Sequence, residues 1–392
     1  MSSIPSKIRL IATCAFGLEA VVKRELMALG FKDFFGADGR VEFDGALDDI
    51  PVLNLWLRVA DRVLVKVGGF AAADFGRLFD GTYEVPWESW ILPEARITVT
   101  GKCVRSKLMS VRSCQSIVKK AVLRRLEERL KVSSFPETGA EFTIHVSVLK
   151  DEVLLTLDTS GAGLHKRGYR VGSGEVPLRE NLAAALVLLS FWDKDRILID
   201  PMCGAGTILI EAAMIARNMA PGMNREFAAE HWPCIPAVAW QQARQEAARA
   251  VVNLGALRIS GYDIDPERIR DSRANARKAK VEKDIVFEVK DIKDLWINDP
   301  YGIVISNPPY GIKLGGLKEL TLIYVLLHNM FRNKTGWSLY ILTADNRFPD
   351  FFKRARPDKV RKLFNGTIEA NYYQYYGERP PLCKSPGREA QV

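Results

Sequence analysis

The chain has 392 residues, 47% of them apolar and 26% charged, with a formal net charge of +9. That length is too great for one ordinary domain, and the apolar share supplies ample material for two or three buried cores. Six cysteines without a Cys-x-x-Cys pair exclude a zinc knuckle or disulfide framework, and the longest apolar stretch, 182–192, is far short of the ~20 residues that span a bilayer.

The N-terminus lacks a signal-peptide core, so the expectation is a soluble, cytoplasmic monomer without metal. Residues 1–65 read as a small α/β unit: a strand at 7–12, a helix from 17 to 29 ending at Gly30, a strand at 41–43 and a helix from 51. A second unit, 66–160, has a strand at 96–100, a basic helix at 113–130 and strands at 141–147 and 153–157. The Lys150-Asp151 break between the last two predicts a hairpin turn. The glycine-rich, basic stretch 161–178 is the natural linker. Its Lys166, Arg167 and Arg170 beside Tyr169 suit phosphate and a stacked base.

From 179 to 385 helices and strands alternate, with strands at 196–200, 259–264, 285–290, 302–306 and 337–343. That rhythm predicts a doubly wound, mostly parallel sheet. Two final strands, 360–364 and 367–375, flank Asn365-Gly366 and predict an antiparallel hairpin. Residues 386–392 read as a tail.

Two strand ends carry the chemistry. Residues 197–207 read Ile-Leu-Ile-Asp-Pro-Met-Cys-Gly-Ala-Gly-Thr, a strand ending in a glycine turn that opens a helix. A dinucleotide site wants a third glycine where Leu209 stands, and a P-loop wants Gly-Lys-Ser/Thr. S-adenosylmethionine has no pyrophosphate and needs neither. Its contacts are expected from Asp200, Cys203, Gly204, Gly206 and Thr207 in the turn. Asp263 is expected on the ribose with Asp265 as its understudy, Asp291 on the adenine amino group, and Asn307 at the fourth strand end. An acid at one strand end is commonly a cap or turn residue. Three at successive strand ends point to a ligand, because open α/β sheets bind at the carboxyl ends of their strands.

The second end is Asn307-Pro308-Pro309-Tyr310. An aromatic amine is a poor nucleophile because its lone pair is delocalised. The Asn307 side-chain oxygen and the Pro308 carbonyl can each accept one N–H and aim that lone pair at a methyl donor, while Tyr310 stacks on the base. This is catalysis by position and preorganised electrostatics.

Asp200-Pro-Met-Cys-Gly-Ala-Gly-Thr207, Asp263-Ile-Asp-Pro266 and Asn307-Pro-Pro-Tyr-Gly311 resemble the class I RNA guanine-N2 methyltransferases that carry a THUMP domain, especially the bacterial 23S ribosomal-RNA members. The residues 164–170, 177–180 and 220–232 extend the likeness over nearly the whole chain. The resemblance implies a Rossmann-like class I methyltransferase domain, a mostly parallel seven-stranded sheet with an antiparallel C-terminal hairpin. It also implies that an α+β region precedes this domain, ferredoxin-like over 1–65 and THUMP over 66–160. Ala205 replaces the family's common Ser, which a backbone-led turn tolerates.

RNA contacts are then expected from Lys102, Arg105, Lys107, Arg112, Lys119, Lys120, Lys166, Arg167 and Arg170. A second cluster, Lys353, Arg354, Arg356, Lys359, Arg361 and Lys362, precedes the final hairpin. Naked 23S rRNA or an assembling large subunit fits as substrate. The alternatives are tRNA guanine-N2 methylation, DNA adenine-N6 methylation, which uses the same tetrapeptide, and a non-catalytic RNA-binding assembly factor. The RNA-type N-terminal region weighs against DNA. The intact Gly204, Gly206, Asp263 and Asn307 weigh against a non-catalytic role.

Overall fold

A computed structural model describes residues 4–171, 178–309, 317–352 and 356–379. Within these, residues of 1–170, 180–185 and 217–253 form one compact unit, and residues of 171–179, 186–216 and 254–392 form another. No helix among them is long and apolar enough to cross a membrane.

The first unit is built on β1 (Ile8–Thr13), β2 (Phe35–Ala37), β3 (Arg40–Gly45), β4 (Arg62–Ala71), β5 (Arg96–Val104), β6 (Glu141–Leu149) and β7 (Glu152–Asp158). They form a single sheet in the order β2-β3-β1-β4-β7-β6-β5. The two segments expected on either side of residue 65 therefore share one sheet. β4 joins them: Arg62–Val65 pair with β1, and Leu64–Ala71 with β7. Lys66 and the Gly68-Gly69 pair interrupt its alternation in sequence. In the sheet they sit at a bulge between Lys66 and Gly68, where a Cβ on Gly68 would meet Val85 at 2.9 Å.

β5 and β6 are parallel and are connected through the helix Val111–Leu130. Ser110 caps it by accepting from the Ser113 amide, and Cys114, Val118, Ala121, Val122 and Leu126 form its buried stripe at helical spacing. The expected turn is present at Lys150-Asp151, both with positive φ (53° and 64°), the backbone that matches a two-residue hairpin to the twist of its strands.

Residues 217–253 pack with this first unit. Trp232, 1% exposed, stacks on Phe142 with ring centroids 4.5 Å apart and donates its indole N–H to the Glu141 carbonyl at 3.1 Å. The Arg225 guanidinium donates to the carbonyls of Ser160, Ala162, Gly163 and Lys166 at 2.5–3.2 Å.

The second unit contains β8 (Leu198–Asp200), β9 (Ile259–Asp263), β10 (Ile285–Val289), β11 (Tyr301–Ser306), β12 (Gly336–Thr343), β13 (Lys359–Asn365) and β14 (Ile368–Tyr375). The order is β10-β9-β8-β11-β12-β14-β13, with parallel pairing from β10 to β12 and antiparallel pairing of β14 with β12 and β13. The hairpin lies where Asn365-Gly366 predicts it, one residue later in register: Asn365 still pairs with Ile368, so Gly366 (φ 65°) and Thr367 make the turn. Tyr324, Leu327, Phe331, Trp337, Leu339, Phe348 and Tyr373 belong to one core cluster with Val304 of β11. Tyr372, Tyr373 and Tyr375 are strand packing.

Chain order reverses at β8, with β9 and β10 to one side and β11 and β12 to the other. Such a reversal opens a crevice at the carboxyl ends of the two central strands.

Truncating a buried, stacked tryptophan removes about 3–5 kcal/mol. Trp232→Ala should therefore lower the urea-unfolding free energy of the first unit by that amount, and a loss under about 1 kcal/mol would mean that 217–253 is not integral to it.

Candidate cofactor and acceptor site

At the end of β8 the chain turns through Pro201–Gly206 into the helix Thr207–Ala216. Gly204 and Gly206 have φ of +53° and +77°, which L side chains rarely adopt. Gly206 is also sterically fixed, since a Cβ would meet Phe287 at 2.9 Å and Ser272 at 3.0 Å. Gly204 differs: a Cβ there would meet nothing within 4 Å, so open space lies against its backbone. A cofactor that must approach the main chain fits this opening.

The turn is gripped from β9. The Asp263 carboxylate accepts from the Gly204 amide at 2.9 Å through Oδ2 and from the Asp265 amide at 3.0 Å through Oδ1. The Tyr262 carbonyl accepts from the Cys203 amide at 2.8 Å. Burial pushes the Asp263 carboxyl up from its ordinary value, and the two amides oppose that by stabilising the ionised form. Beside it Ile264 is 67% exposed, an apolar surface left open at a strand tip between two acids.

The other expected cofactor acids serve the backbone. Asp265 caps the helix Pro266–Lys278, accepting from the Glu267 amide at 2.8 Å. Asp291 accepts from the Lys293 amide at 3.0 Å and pairs with the Lys293 ammonium at 3.1 Å, contacts that hold its carboxyl below the usual range. Asp200 is 2% exposed, and its Oδ1 accepts from Ser306 Oγ at 2.7 Å and from the Met202 amide at 3.2 Å. The Cys203 thiol is buried, and burial pushes its pKa well up. Thr207, 6% exposed, is the first residue of the helix.

β11 lies against β8 on the opposite side from β9, and it ends at Ser306. Asn307 follows, partly exposed, then Pro308, buried, and Pro309, partly exposed. Tyr310 lies outside the described residues. Hydrogen bonds thus tie Asp263 to the Gly204 end of the glycine turn and Asp200 at its start to Ser306, the residue before Asn307. Ser306 was not anticipated. Its signal in sequence is a hydroxyl closing an otherwise apolar strand.

The cations of the first unit divide by environment. Lys102, Arg105, Lys107, Arg112 and Lys120 are exposed, and among the described residues no carboxylate pairs with them; the same holds for Lys166. The loop carrying Arg105 and Lys107 is shaped by Asp151, whose Oδ1 accepts from Ser106 Oγ at 2.7 Å and from the Lys107 amide at 2.8 Å. Lys119 is paired with Glu137 at 3.1 Å.

Two linker expectations are corrected. Arg167 is 2% exposed and donates to the carbonyls of Leu164 and Arg58, so it braces the chain rather than facing phosphate. Tyr169, 1% exposed, has no face for a base. Arg170 is bonded to Glu180 at 2.7 Å. Of the second basic cluster, Lys353 and Arg354 lie outside the described residues, and Lys362 pairs with Glu369 at 2.9 Å. A groove of about 1130 Å³ beside Phe79, Tyr83, Lys119, Lys120 and Arg124 lies in the first unit. Most of its charge is cancelled internally, Arg124 pairing with Glu127 and Glu128.

Known proteins resemble this chain along most of its length. Residues 167–374 match the family described as RMKL-like, methyltransferase domain, 9–64 the RlmL ferredoxin-like domain and 72–158 the THUMP domain. A protein of Bacillus subtilis named putative RNA methyltransferase YpsC is 43% identical over 384 residues, covering 96% of this chain and 98% of its own. The ribosomal RNA large subunit methyltransferase K/L of Syntrophotalea carbinolica is 33% identical over 385 residues. The match takes in 94% of this chain but 53% of that protein, so the chain spans about half the length of such K/L relatives. The crystal structure of SMU.472, a putative methyltransferase complexed with SAH, superposes with a TM-score of 0.91 at 40% identity, covering 96% of this chain and 100% of that one.

Burial raises the Asp200 carboxyl to about 7, with the Ser306 and Met202 hydrogen bonds opposing the rise and nearby Asp263 adding to it. Between the ordinary carboxyl value near ~4 and that point, the folded protein keeps a proton that the unfolded chain has lost. Stability from this group is therefore full at low pH and falls as pH rises through 7. Asp200→Asn has no proton to lose, so its melting temperature relative to the parent should climb between pH 5 and 8. Parallel melting curves across that window would contradict the assignment.

Proposed function

The chain belongs to the RMKL-like methyltransferase family with S-adenosylmethionine as cofactor, and from that premise we propose that it methylates the exocyclic N2 of a guanine in 23S ribosomal RNA. The observation that carries this reading is the acceptor loop Asn307-Pro308-Pro309, beginning at the tip of the strand next to the glycine turn. When bound, the cofactor supplies a sulfonium methyl group, an electrophile that needs no metal.

The rest is positioning by this chain. The Asn307 side-chain oxygen and the Pro308 carbonyl each accept an N–H of the guanine amine, which draws the nitrogen lone pair out of the ring's π system. The two prolines limit backbone freedom, so the acceptors do not have to be ordered during reaction. Asp263, amide-bonded at the turn, accepts from ribose hydroxyls. Ile264 offers its exposed side chain to the adenine ring. Asp291, at the next tip, remains the candidate for the adenine amino group.

RNA is the substrate class supported by the THUMP match, by the names of the relatives and by the unpaired cations Lys102, Arg105, Lys107, Arg112 and Lys120. Each phosphate contact releases counterions, so binding through them falls steeply with salt. A guanine inside a helix would have to be extruded to reach the acceptor loop.

Asn307→Ala should lower kcat by roughly 10²–10³-fold while leaving cofactor affinity nearly unchanged, the pattern of a group that acts in the transition state. Transfer of tritiated methyl from S-adenosylmethionine to an unmodified 23S rRNA transcript measures it; full activity in the variant would refute the amine-holding role. Asp263→Ala removes hydrogen bonds to the ribose hydroxyls of about 1.5–3 kcal/mol each, and calorimetry should show a roughly 10²- to 10⁴-fold weaker S-adenosylmethionine Kd. Unchanged affinity would place the ribose elsewhere.

A further inference from the structure

We propose that Ser306 is a positioning residue: its buried hydroxyl ties the acceptor loop to the cofactor turn and sets where Asn307 stands. The proposal rests on the amine-holding role of Asn307 given above and adds the device that keeps it in place.

The backbone pairing of β11 with β8 covers Ile303 with Leu198 and Val304 with Ile199, and the ladder goes no further. On the other side β11 stays paired with β12 out to Ser306, opposite Ile341. At its tip, β11 is therefore held by backbone only on the side away from the cofactor turn. The missing tie is supplied by side chains, since Ser306 Oγ donates to Asp200 Oδ1 at 2.7 Å, and that same oxygen accepts from the Met202 amide inside the turn. One carboxylate oxygen thus touches both loops, and it does so in a closed setting, with Ser306 at 0% and Asp200 at 2% exposure.

That setting gives the bond its strength. A hydrogen bond to a carboxyl group out of water is directional, and a hydroxyl buried without a partner is costly. The rest of the strand interior, Gly302-Ile-Val-Ile305, is apolar and fully buried, so a hydroxyl at its end is the one polar group there able to reach across. The row continues on the far side of the turn: the Gly204 amide meets Asp263 Oδ2, and the Asp263 carbonyl accepts from the Lys290 amide at 2.9 Å. Four strand tips, from β10 to β11, are joined in sequence. The last link, Ser306, leads directly into the acceptor loop.

Removing the hydroxyl leaves the Gly204–Asp263 grip in place, so the cofactor side should hold while Asn307 loses its register. Displacements near 1 Å at a reacting centre cost about 10²-fold. Ser306→Ala should thus lower kcat for methyl transfer to an unmodified 23S rRNA transcript by about 10- to 100-fold, with KM for RNA and calorimetric Kd for S-adenosylmethionine within about twofold. Ser306→Thr, which keeps the hydroxyl, should recover most of that kcat. Asp200→Ala approaches the bond from its other end. Combined with Ser306→Ala it should cost no more in kcat than the larger single loss, because both remove one interaction. This arm also serves if the serine variant folds poorly.

An unchanged kcat in Ser306→Ala, a threonine variant as slow as the alanine one, or additive losses in the double variant would overturn the proposal. The Asn307→Ala control separates the two levels. An inactive Asn307→Ala beside a fully active Ser306→Ala sinks only the Ser306 link. A fully active Asn307→Ala sinks the amine-holding role and the link with it.

Discussion

The Asp263 carboxylate, accepting from the Gly204 amide across the gap between two strand tips, is the interaction on which the catalytic unit depends. A turn with two left-handed glycines is conformationally expensive, because glycine gives up more freedom than any other residue when it is fixed. Asp263 holds this turn from the neighbouring strand and leaves the far side of Gly204 open. Burial raises the cost of its charge, and the amides of Gly204 and Asp265 offset that cost. The site is thus ordered before any ligand arrives, which lowers the entropy that binding must supply. From the same turn the Asp200–Ser306 bond extends the order to β11.

In the first unit the governing constraint is charge placement. The helix Val111–Leu130 is rich in lysine and arginine, yet several of its cations are matched by acids: Lys119 with Glu137, Arg124 with Glu127 and Glu128, and Arg125 with Glu88. Arg125, 7% exposed, makes two bonds to Glu88 at 2.9 and 3.0 Å and belongs to the core. Lys102, Arg105, Lys107, Arg112 and Lys120, with no carboxylate partner among the described residues, lie on the strand and loop before the helix and along its first half. Net positive charge alone would not separate the paired cations from those left open to a phosphate backbone.

Much of this was legible in the sequence because it depends on local chemistry. The glycine turn, the strand preceding Asn307, the Lys150-Asp151 hairpin and the alternating helix–strand rhythm all follow from periodicity and turn residues. The C-terminal hairpin was legible too, though its turn sits one residue later, since Asn365 completes the strand ladder before Gly366 supplies the positive φ. What escaped depends on distant partners. Arg167 looks like a phosphate ligand until the Leu164 and Arg58 carbonyls take its guanidinium. Residues 217–253 follow the cofactor helix in sequence, yet Trp232 finds its stacking partner at Phe142, ninety residues back. β4 was hidden by Lys66 and two glycines that a bulge absorbs. Ser306 carried no motif, and a hydroxyl at a strand end acquires meaning only once Asp200 is seen across from it.

The central claim is that this strand-tip row presents a guanine amine of ribosomal RNA to S-adenosylmethionine. Nucleoside mass spectrometry of purified 23S rRNA, tRNA and DNA, from cells with and without the gene, tests it most directly. The account predicts that N2-methylguanosine in 23S rRNA falls by the equivalent of one site when the gene is removed and returns when it is restored, with tRNA and DNA unchanged. Unaltered 23S rRNA, with N2-methylguanosine lost from tRNA or N6-methyladenine lost from DNA, would contradict it.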